Sequence, residues 1–250
     1  MILNIDGIEF SYSSVPVLKN IRFDIKRGEL LSILGNNGAG KSTLLKCINK
    51  ILKPHKGTIY IEEEDILKLD RVEIAKKIGY VAQRNENGRF TVFDAVLLGR
   101  KPHIKWDVTK KDLKIVNDVI NKFNLDKLSL RYLSELSGGE LQKVVIARAL
   151  AQQPLVILLD EPTNNLDLKN QIEVLRIIKQ TVKEQNIAAI VIIHDLNLAL
   201  RFSDKFLLLK DNSIYAYGGE EIMTEENIEA VYDIPVAVER VHDIKVVIPL

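Results

Sequence analysis

Cysteine is almost missing from the chain: Cys47 is the only one in 250 residues, so no internal disulfide can form. Its place within an amphipathic stretch reads as a small buried apolar residue rather than a reactive thiol. An excess of either charge is missing as well. Lys and Arg number 35 against 34 Asp and Glu, a formal net charge of +1, which gives no reason to expect a nucleic-acid or anionic-membrane surface. Long apolar runs are lacking too. The longest, Leu155 to Leu159 and Ile187 to Ile193, fall far short of the roughly 20 residues that cross a bilayer. Met1 to Asp6 has neither the charged start nor the apolar core of a secretion signal, so work at a membrane would require a partner to supply the span. Repeats, low-complexity tracts and long heptad arrays are absent. What remains, 46% hydrophobic and 28% charged residues, is the composition of an ordinary globular chain long enough to bury a sizeable core.

The stretch Gly35-Asn36-Asn37-Gly38-Ala39-Gly40-Lys41-Ser42-Thr43 stands between two periodic segments. Leu30 to Leu34 reads as a short buried strand, and Leu44, Leu45, Ile48, Ile51 and Leu52 recur at helical spacing before Pro54 stops the pattern. A glycine-rich turn joining strand to helix is the context in which Gly-x-x-x-x-Gly-Lys-Ser means a phosphate loop. Its N–H groups curl inward, and the helix start adds its positive dipole end. Lys41 is placed to reach the β- and γ-phosphates and the Ser42 hydroxyl to hold Mg²⁺.

The rest of the chain organises around that loop. Residues 1 to 34 alternate apolar and polar in short bursts, with turn chemistry at Asp6-Gly7 and Arg27-Gly28, and read as an antiparallel β-flap. Tyr12 falls in its first loop, where its ring is available to stack on a base. Thr58 to Ile61 is a strand, Glu62 to Asp65 a solvated acidic turn without charge partners, Lys68 to Lys77 a helix and Ile78 to Ala82 a strand with Gln83 just past its end. From 84 to about 152 strand signals vanish. Helical patterns cover Val92 to Gly99, Lys110 to Phe123 behind Thr109 as N-cap, and a stretch from Gly138; the middle one gathers Leu113, Val116, Val119, Ile120 and Phe123 on one face. This predicts an inserted helical sub-domain, 84–152.

Leu155 to Asp160 is again a continuous apolar run, as a parallel strand covered on both faces requires. Asp167 caps a helix bearing Ile172, Leu175, Ile178 and Val182, and Ala188 to Ile193 is a further buried strand ending at His194. Alternating strands and helices predict a mostly parallel α/β sheet. A hairpin around Asp211-Asn212-Ser213, a helix behind Thr224 and a small β-ribbon complete the chain.

Ligands collect at the carboxyl ends of such strands. Asp160 there is suited to hold Mg²⁺, Glu161 to deprotonate an attacking water, and a neutral His194 to bond a γ-phosphate oxygen. Leu136-Ser137-Gly138-Gly139-Glu140 opens a helix whose N–H groups and Ser137 hydroxyl also suit an anion.

At these residues the chain resembles the ATP-binding subunits of ABC transporters, from Tyr12 to at least Asp204. The resemblance implies a P-loop NTPase fold of the ABC type, with a mostly parallel sheet core, the antiparallel flap and the helical insert in one domain, 1–250. It makes Gly35 to Thr43 the phosphate loop, Gln83 the Q-loop residue of the catalytic and metal-holding set, Leu136 to Glu140 the signature and Val156 to Asp160 the Walker B strand. Glu161 becomes the catalytic base, Asn165-Leu166-Asp167 the D-loop and His194 the switch histidine. It further implies that Ser137, Gly138, Gly139 and Glu140 of one copy complete the ATP site of a second, so that two chains sandwich two nucleotides head to tail. The family usually has glutamine where Glu140 stands. A phosphate repels a carboxylate, so Ser137-x-x-Glu140 is read instead as a capping box.

Phe93 to His103 and His194 to Phe202 resemble importers of ferric siderophores, haem and cobalamin, in which the helix after the Q-loop lines the cleft that receives a helix of the membrane permease. The implied protein is peripheral to the cytoplasmic face of the membrane and works indirectly with a substrate-binding protein. Two alternatives stay open: a soluble ABC ATPase of the iron–sulfur assembly type, without the Gly99 to His103 docking segment, and a DNA-associated ABC ATPase, which would carry a long coiled coil and basic surfaces.

Overall fold

In the computed structural model, which describes residues 1–83 and 89–250, an antiparallel pair, β1 (Leu3–Tyr12) and β2 (Val15–Ile25), leads into β3 (Leu30–Leu34) and α1 (Lys41–Ile48). β4 (Lys56–Ile61) and β5 (Glu64–Asp65) return to the first pair, making a four-stranded flap in the order β2-β1-β4-β5. Next come α2 (Arg71–Lys77) and β6 (Ile78–Val81), then α3 (Val92–Leu97), a 3-10 turn over Leu98–His103, α4 (Lys110–Lys122) and α5 (Gly138–Ala151). The second half alternates β7 (Val156–Asp160), α6 (Leu168–Gln185), β8 (Ala188–Ile192), α7 (Leu196–Phe202), β9 (Lys205–Lys210) and β10 (Ser213–Gly218). α8 (Glu225–Tyr232) and a ribbon of β11 (Val236–Val241) and β12 (Ile244–Pro249) follow.

The central sheet runs β10-β9-β3-β8-β7-β6, with every neighbour pair parallel except β9 and β10. Its apolar strands are buried on both faces, and the two-residue period sorts their side chains between two cores. Leu31 and Ile33 of β3, with Ile190 and Ile192 of β8, join α1 and the flap. Leu30 and Leu34, with Ala189 and Val191, face the helices, including those of the insert. Each fully buried Leu, Ile or Val contributes about 1.5–3 kcal/mol, so the sheet and its ends are fixed from both sides. Among the described residues between β6 and β7 no strand forms, only an isolated bridge between Thr91 and Tyr132. Residues 84–88 of the expected insert lie outside the described residues.

Several local expectations are corrected. Asp6-Gly7 is a bulge inside β1, where the pairing with β2 shifts between Ile5 and Ile8, and Ser13-Ser14 makes the hairpin turn. Tyr12 is therefore the last residue of β1, opposite Val15, and not in a loop. α1 ends at Ile48 instead of running to Leu52, because Lys50 adopts φ 52° and turns Ile51 out to solvent. The acidic run has cationic partners after all: Glu62 pairs with Arg27, Glu64 with Lys77 at 2.7 Å and Asp65 with Lys68 at 3.2 Å. The helix expected from Lys68 begins only at Arg71, behind Asp70, whose carboxylate accepts from Val72 N–H and Glu73 N–H. Leu113 sits at the rim of its apolar face and is 38% exposed, whereas Val116, Val119, Ile120 and Phe123 are buried.

Candidate nucleotide site

Three neighbouring parallel strands, β6, β7 and β8, end level with one another, Val81 opposite Leu159 and Asp160 opposite Ile192, and with β3 beside them they deliver the chemistry to one edge of the sheet. β3 runs into the glycine-rich loop. Gly35 (φ 140°) and Gly40 (φ 97°) need the left-handed region and leave no room for a side chain. A Cβ on Gly40 would lie 2.7 Å from the Val17 carbonyl oxygen, and one on Gly35 would collide with that of Leu209. Gly40 enters α1 with no side-chain cap, so the helix start is open to an anion. Lys41 is buried and donates from Nζ to the carbonyls of Gly35 and Asn36 at 2.7 and 2.9 Å. Burial lowers its pKa from the ordinary lysine value, while the charges of Glu161 and Asp160 act the other way. Asn37, Gly38, Gly40, Lys41, Ser42 and Thr43 line a cavity of about 300 Å³ that Glu161 and Tyr12 close. Ala39 and Asn36 belong to the loop's other side. Tyr12 packs edge-on against Phe10, ring centroids 4.9 Å apart, and half of its surface remains exposed.

At the end of β7 Asp160 is buried and accepts from the Ser42 hydroxyl at 2.9 Å. Burial raises its pKa above the ordinary aspartate value; the Ser42 bond opposes that, Glu161 adds to it, and Lys46 and Lys41 counter it. A hydroxyl and one carboxylate side by side are hard oxygen donors, and Mg²⁺ takes one or two carboxylates with waters and phosphates rather than a full protein cage. The residues present thus fit Mg²⁺.

Glu161 follows on a left-handed turn, φ 54°. Gln83 Nε2 donates to its Oε2 at 2.7 Å, the Asn164 side-chain amide donates to the same oxygen, and His194 Nε2 lies 2.7 Å from Oε1. Gln83, Glu161 and His194 therefore meet, while Ser42 and Asp160 make a second pair. Gln83 stands with the first group: its amide is turned to Glu161, not to the metal pair.

The signature residues stand apart from this edge. Ser137 caps α5, and the Glu140 carboxylate accepts from the Ser137 N–H and hydroxyl, both at 2.8 Å, which holds its pKa below the ordinary glutamate value. The expected capping box is thus present. Gly139 faces Asn170 of α6, three residues after the cap Asp167, and no described hydrogen bond joins residues 136–140 to the glycine-rich loop.

Sequence reasoning missed Asn164, Tyr80 and Tyr232. Asn164 is three residues past Glu161 and carries no charge to mark it. The Tyr80 hydroxyl, pushed up to about 12 by burial and by the facing Asp160, comes from the next strand. Tyr232 accepts the Gly35 N–H from 197 residues away. Only for Asn164, by its spacing, was any signal present.

A strand, a glycine-rich loop with a buried lysine, and carboxylates at the neighbouring strand end define a phosphate-loop nucleotide-binding protein. The family model for the ABC transporter matches residues 18–164, more than half of the chain. The chain belongs to that family, as an ATP-binding and ATP-hydrolysing member. An uncharacterized ABC transporter ATP-binding protein of Methanocaldococcus jannaschii is 63% identical over all of this chain and 98% of its own length. The petrobactin import ATP-binding protein of Bacillus subtilis is 34% identical over 96% of each chain. Among solved structures, a chain described as part of a metal-chelate type ABC transporter in an inward-facing conformation superposes with a TM-score of 0.87 at 31% identity, covering 100% of this chain and 97% of that one. A dimeric ATP-binding cassette bound to ADP and Pi gives 0.77 at 30% identity, over 87% of this chain and 98% of that chain. The mixed sheet, antiparallel flap and P-loop core expected from the sequence are those of this fold.

Proposed function

We propose that the chain powers import of a metal chelate, of the ferric siderophore, haem or cobalamin type, through a membrane permease. Residues 1–250 serve as one ABC ATPase domain, and 84–152 as its helical sub-domain. The observation that carries the reading is the meeting of Gln83, Glu161 and His194 beside the Lys41 loop. Relatives supply the cargo class, since this chain touches no cargo.

Lys41 leaves the Gly35 and Asn36 carbonyls for the β- and γ-phosphates, and the loop N–H groups and α1 start hold the triphosphate. Residues 35–43 cradle it, with Tyr12 stacked on the base. Ser42 and Asp160 would hold Mg²⁺, which when bound would neutralise phosphate charge, while Gln83 stays on the Glu161 carboxylate. Glu161 Oε takes the proton of the attacking water. For that, one donor must release its carboxylate, and His194 is free to turn to the γ-phosphate. Ser137 to Glu140 of a second copy close over the nucleotide, so binding favours a closed homodimer and hydrolysis opens it.

Among the described residues no helix is long and apolar enough to cross a membrane, and the permease supplies the span at the cytoplasmic face. Beside the site lies a groove of about 790 Å³ whose lining includes the apolar Val72, Pro102 and Ile104 and the cationic Arg71, Lys101 and Lys105. It suits an amphipathic helix. Its wall is rigid: Arg100, 3% exposed, bonds Asp112 at 2.9 Å and the Ala151 carbonyl at 2.8 Å, and a Cβ on Gly99 would collide with the Arg148 carbonyl. Gly99 is thus required by close approach to α5, beyond ending a helix.

The test is Glu161→Gln. Turnover should fall about 10²–10⁴-fold with ATP affinity kept and a dimer trapped by ATP and magnesium. A variant that stays monomeric, or that hydrolyses ATP at the unmodified rate, overturns the reading.

A further inference from the structure

The last turn of α8 grips the phosphate loop from behind. The Gly35 N–H donates to the Tyr232 hydroxyl at 3.0 Å, and the Asn36 side-chain amide donates to the Val231 carbonyl at 3.0 Å. On the opposite side the carbonyls of the same two residues accept from Lys41, at 2.7 and 2.9 Å. The start of the loop is therefore tied from two directions. α8 is itself well anchored. Lys210 bonds the Ala230 carbonyl and, at 3.0 Å, the Asp233 carboxylate, and Glu225 and Glu229 accept from the N–H groups of Val238 and Val236 in β11 at 2.8 and 3.0 Å. The ribbon is clamped to α7 in turn, Asn197 donating to the Val247 carbonyl at 3.1 Å and accepting from its N–H at 2.8 Å.

From this double tie we infer that Tyr232 is a positioning residue for nucleotide binding, keeping the Gly35–Asn36 peptide in place when Lys41 exchanges the loop carbonyls for phosphate oxygens. The inference rests on the proposed movement of Lys41. Before binding, the lysine and α8 share the work of orienting the loop; after it, only α8 remains on these two residues. A group alters affinity only by what it contributes differently to the free and bound states, and the Tyr232 bond contributes more once the lysine has gone. Its loss leaves the Gly35 N–H without its partner and lets the loop turn, an entropy that the incoming nucleotide must then remove. The conformation at Gly35, φ 140° against the Leu209 backbone, gives the loop no side chain of its own to replace the tie.

The experiment is a calorimetric titration of the purified full chain with ADP, which fills the β-phosphate position without being hydrolysed, beside steady-state kinetics and thermal unfolding. Tyr232→Phe removes one oxygen. It should weaken ADP about 3- to 10-fold, the range of one net hydrogen bond, and raise the KM for ATP similarly with kcat held within about twofold. Tyr217→Phe is the control. Its hydroxyl donates to the Asp24 carbonyl in the flap, so its loss lowers Tm and leaves ADP affinity unchanged. Asn36→Ala, which cuts the neighbouring tie, should weaken ADP in the same direction and stands in if Tyr232→Phe folds poorly. Unchanged ADP affinity in Tyr232→Phe, or equal losses in it and the Tyr217 control, overturns the inference. Failure of the unmodified chain to bind ADP would instead bring down the nucleotide site itself.

Discussion

Two helices of this chain start at a glycine-rich corner, and they are finished in opposite ways. α1 follows Gly40, whose φ of 97° turns the chain into the helix without any side-chain cap. α5 follows Ser137, whose hydroxyl accepts from the Glu140 N–H while the Glu140 carboxylate takes the Ser137 N–H and hydroxyl. The first corner is left open for a ligand, with a buried cation beside it. At the second, a reciprocal box engages the Ser137 and Glu140 N–H groups. On the proposed reading, phosphate enters the α1 corner and the α5 corner of a second copy then closes over it.

The strongest blow to this contrast is Lys41→Ala. It should weaken ADP at least about 30-fold, the scale of losing charge-assisted bonds to phosphate, in the same calorimetric titration. Ser137→Ala separates the corners. It should leave ADP affinity within about twofold, lower ATPase activity about tenfold or more, and remove about 1 kcal/mol of stability with the α5 cap; a matching loss of ADP binding would mean that the corners are not independent. Glu140→Gln is the gentlest. Glutamine keeps the box and drops only the charge at the helix start, worth about 0.3–1 kcal/mol, so ATPase activity should stay well within about a hundredfold of the unmodified rate. Its pH dependence has a definite sign. Bonds from Ser137 hold the Glu140 pKa below its ordinary 4.5, so the carboxylate stabilises the fold above that value and the contribution is lost as pH falls through the depressed one. The Tm difference between the two chains should therefore shrink on acidification, and a gap that widens below pH 4.5 would contradict the capping role.

How far the sequence reveals this follows from distance along the chain. The loop, Asp160 with Glu161, and the caps at Thr109, Ser137, Asp167 and Thr224 are all present as expected, because each is a pattern of three to nine neighbouring residues with its own physics. Bulges and helix stops were less legible. The turn residues at Asp6-Gly7 signal a change of direction, but the pairing of β1 with both β2 and β4 absorbs it as a register shift. Partners far apart in sequence were not legible at all. Nothing near Tyr232 points to Gly35, nothing near Arg100 or Asp112 marks their bond as buried, and Asn197 gives no hint that it holds the ribbon. These contacts exist only once the sheet has brought strand ends and helix ends together.

The neighbours of Glu161 hold its carboxylate as well as surround it. With Gln83 and Asn164 on one oxygen and His194 on the other, it already accepts three of the roughly four hydrogen bonds a carboxylate can take. A water that reaches this carboxylate meets an acceptor already partly engaged. On the proposed reading, the same three side chains act as a safety catch on the base, and a phosphate that draws the imidazole away arms it.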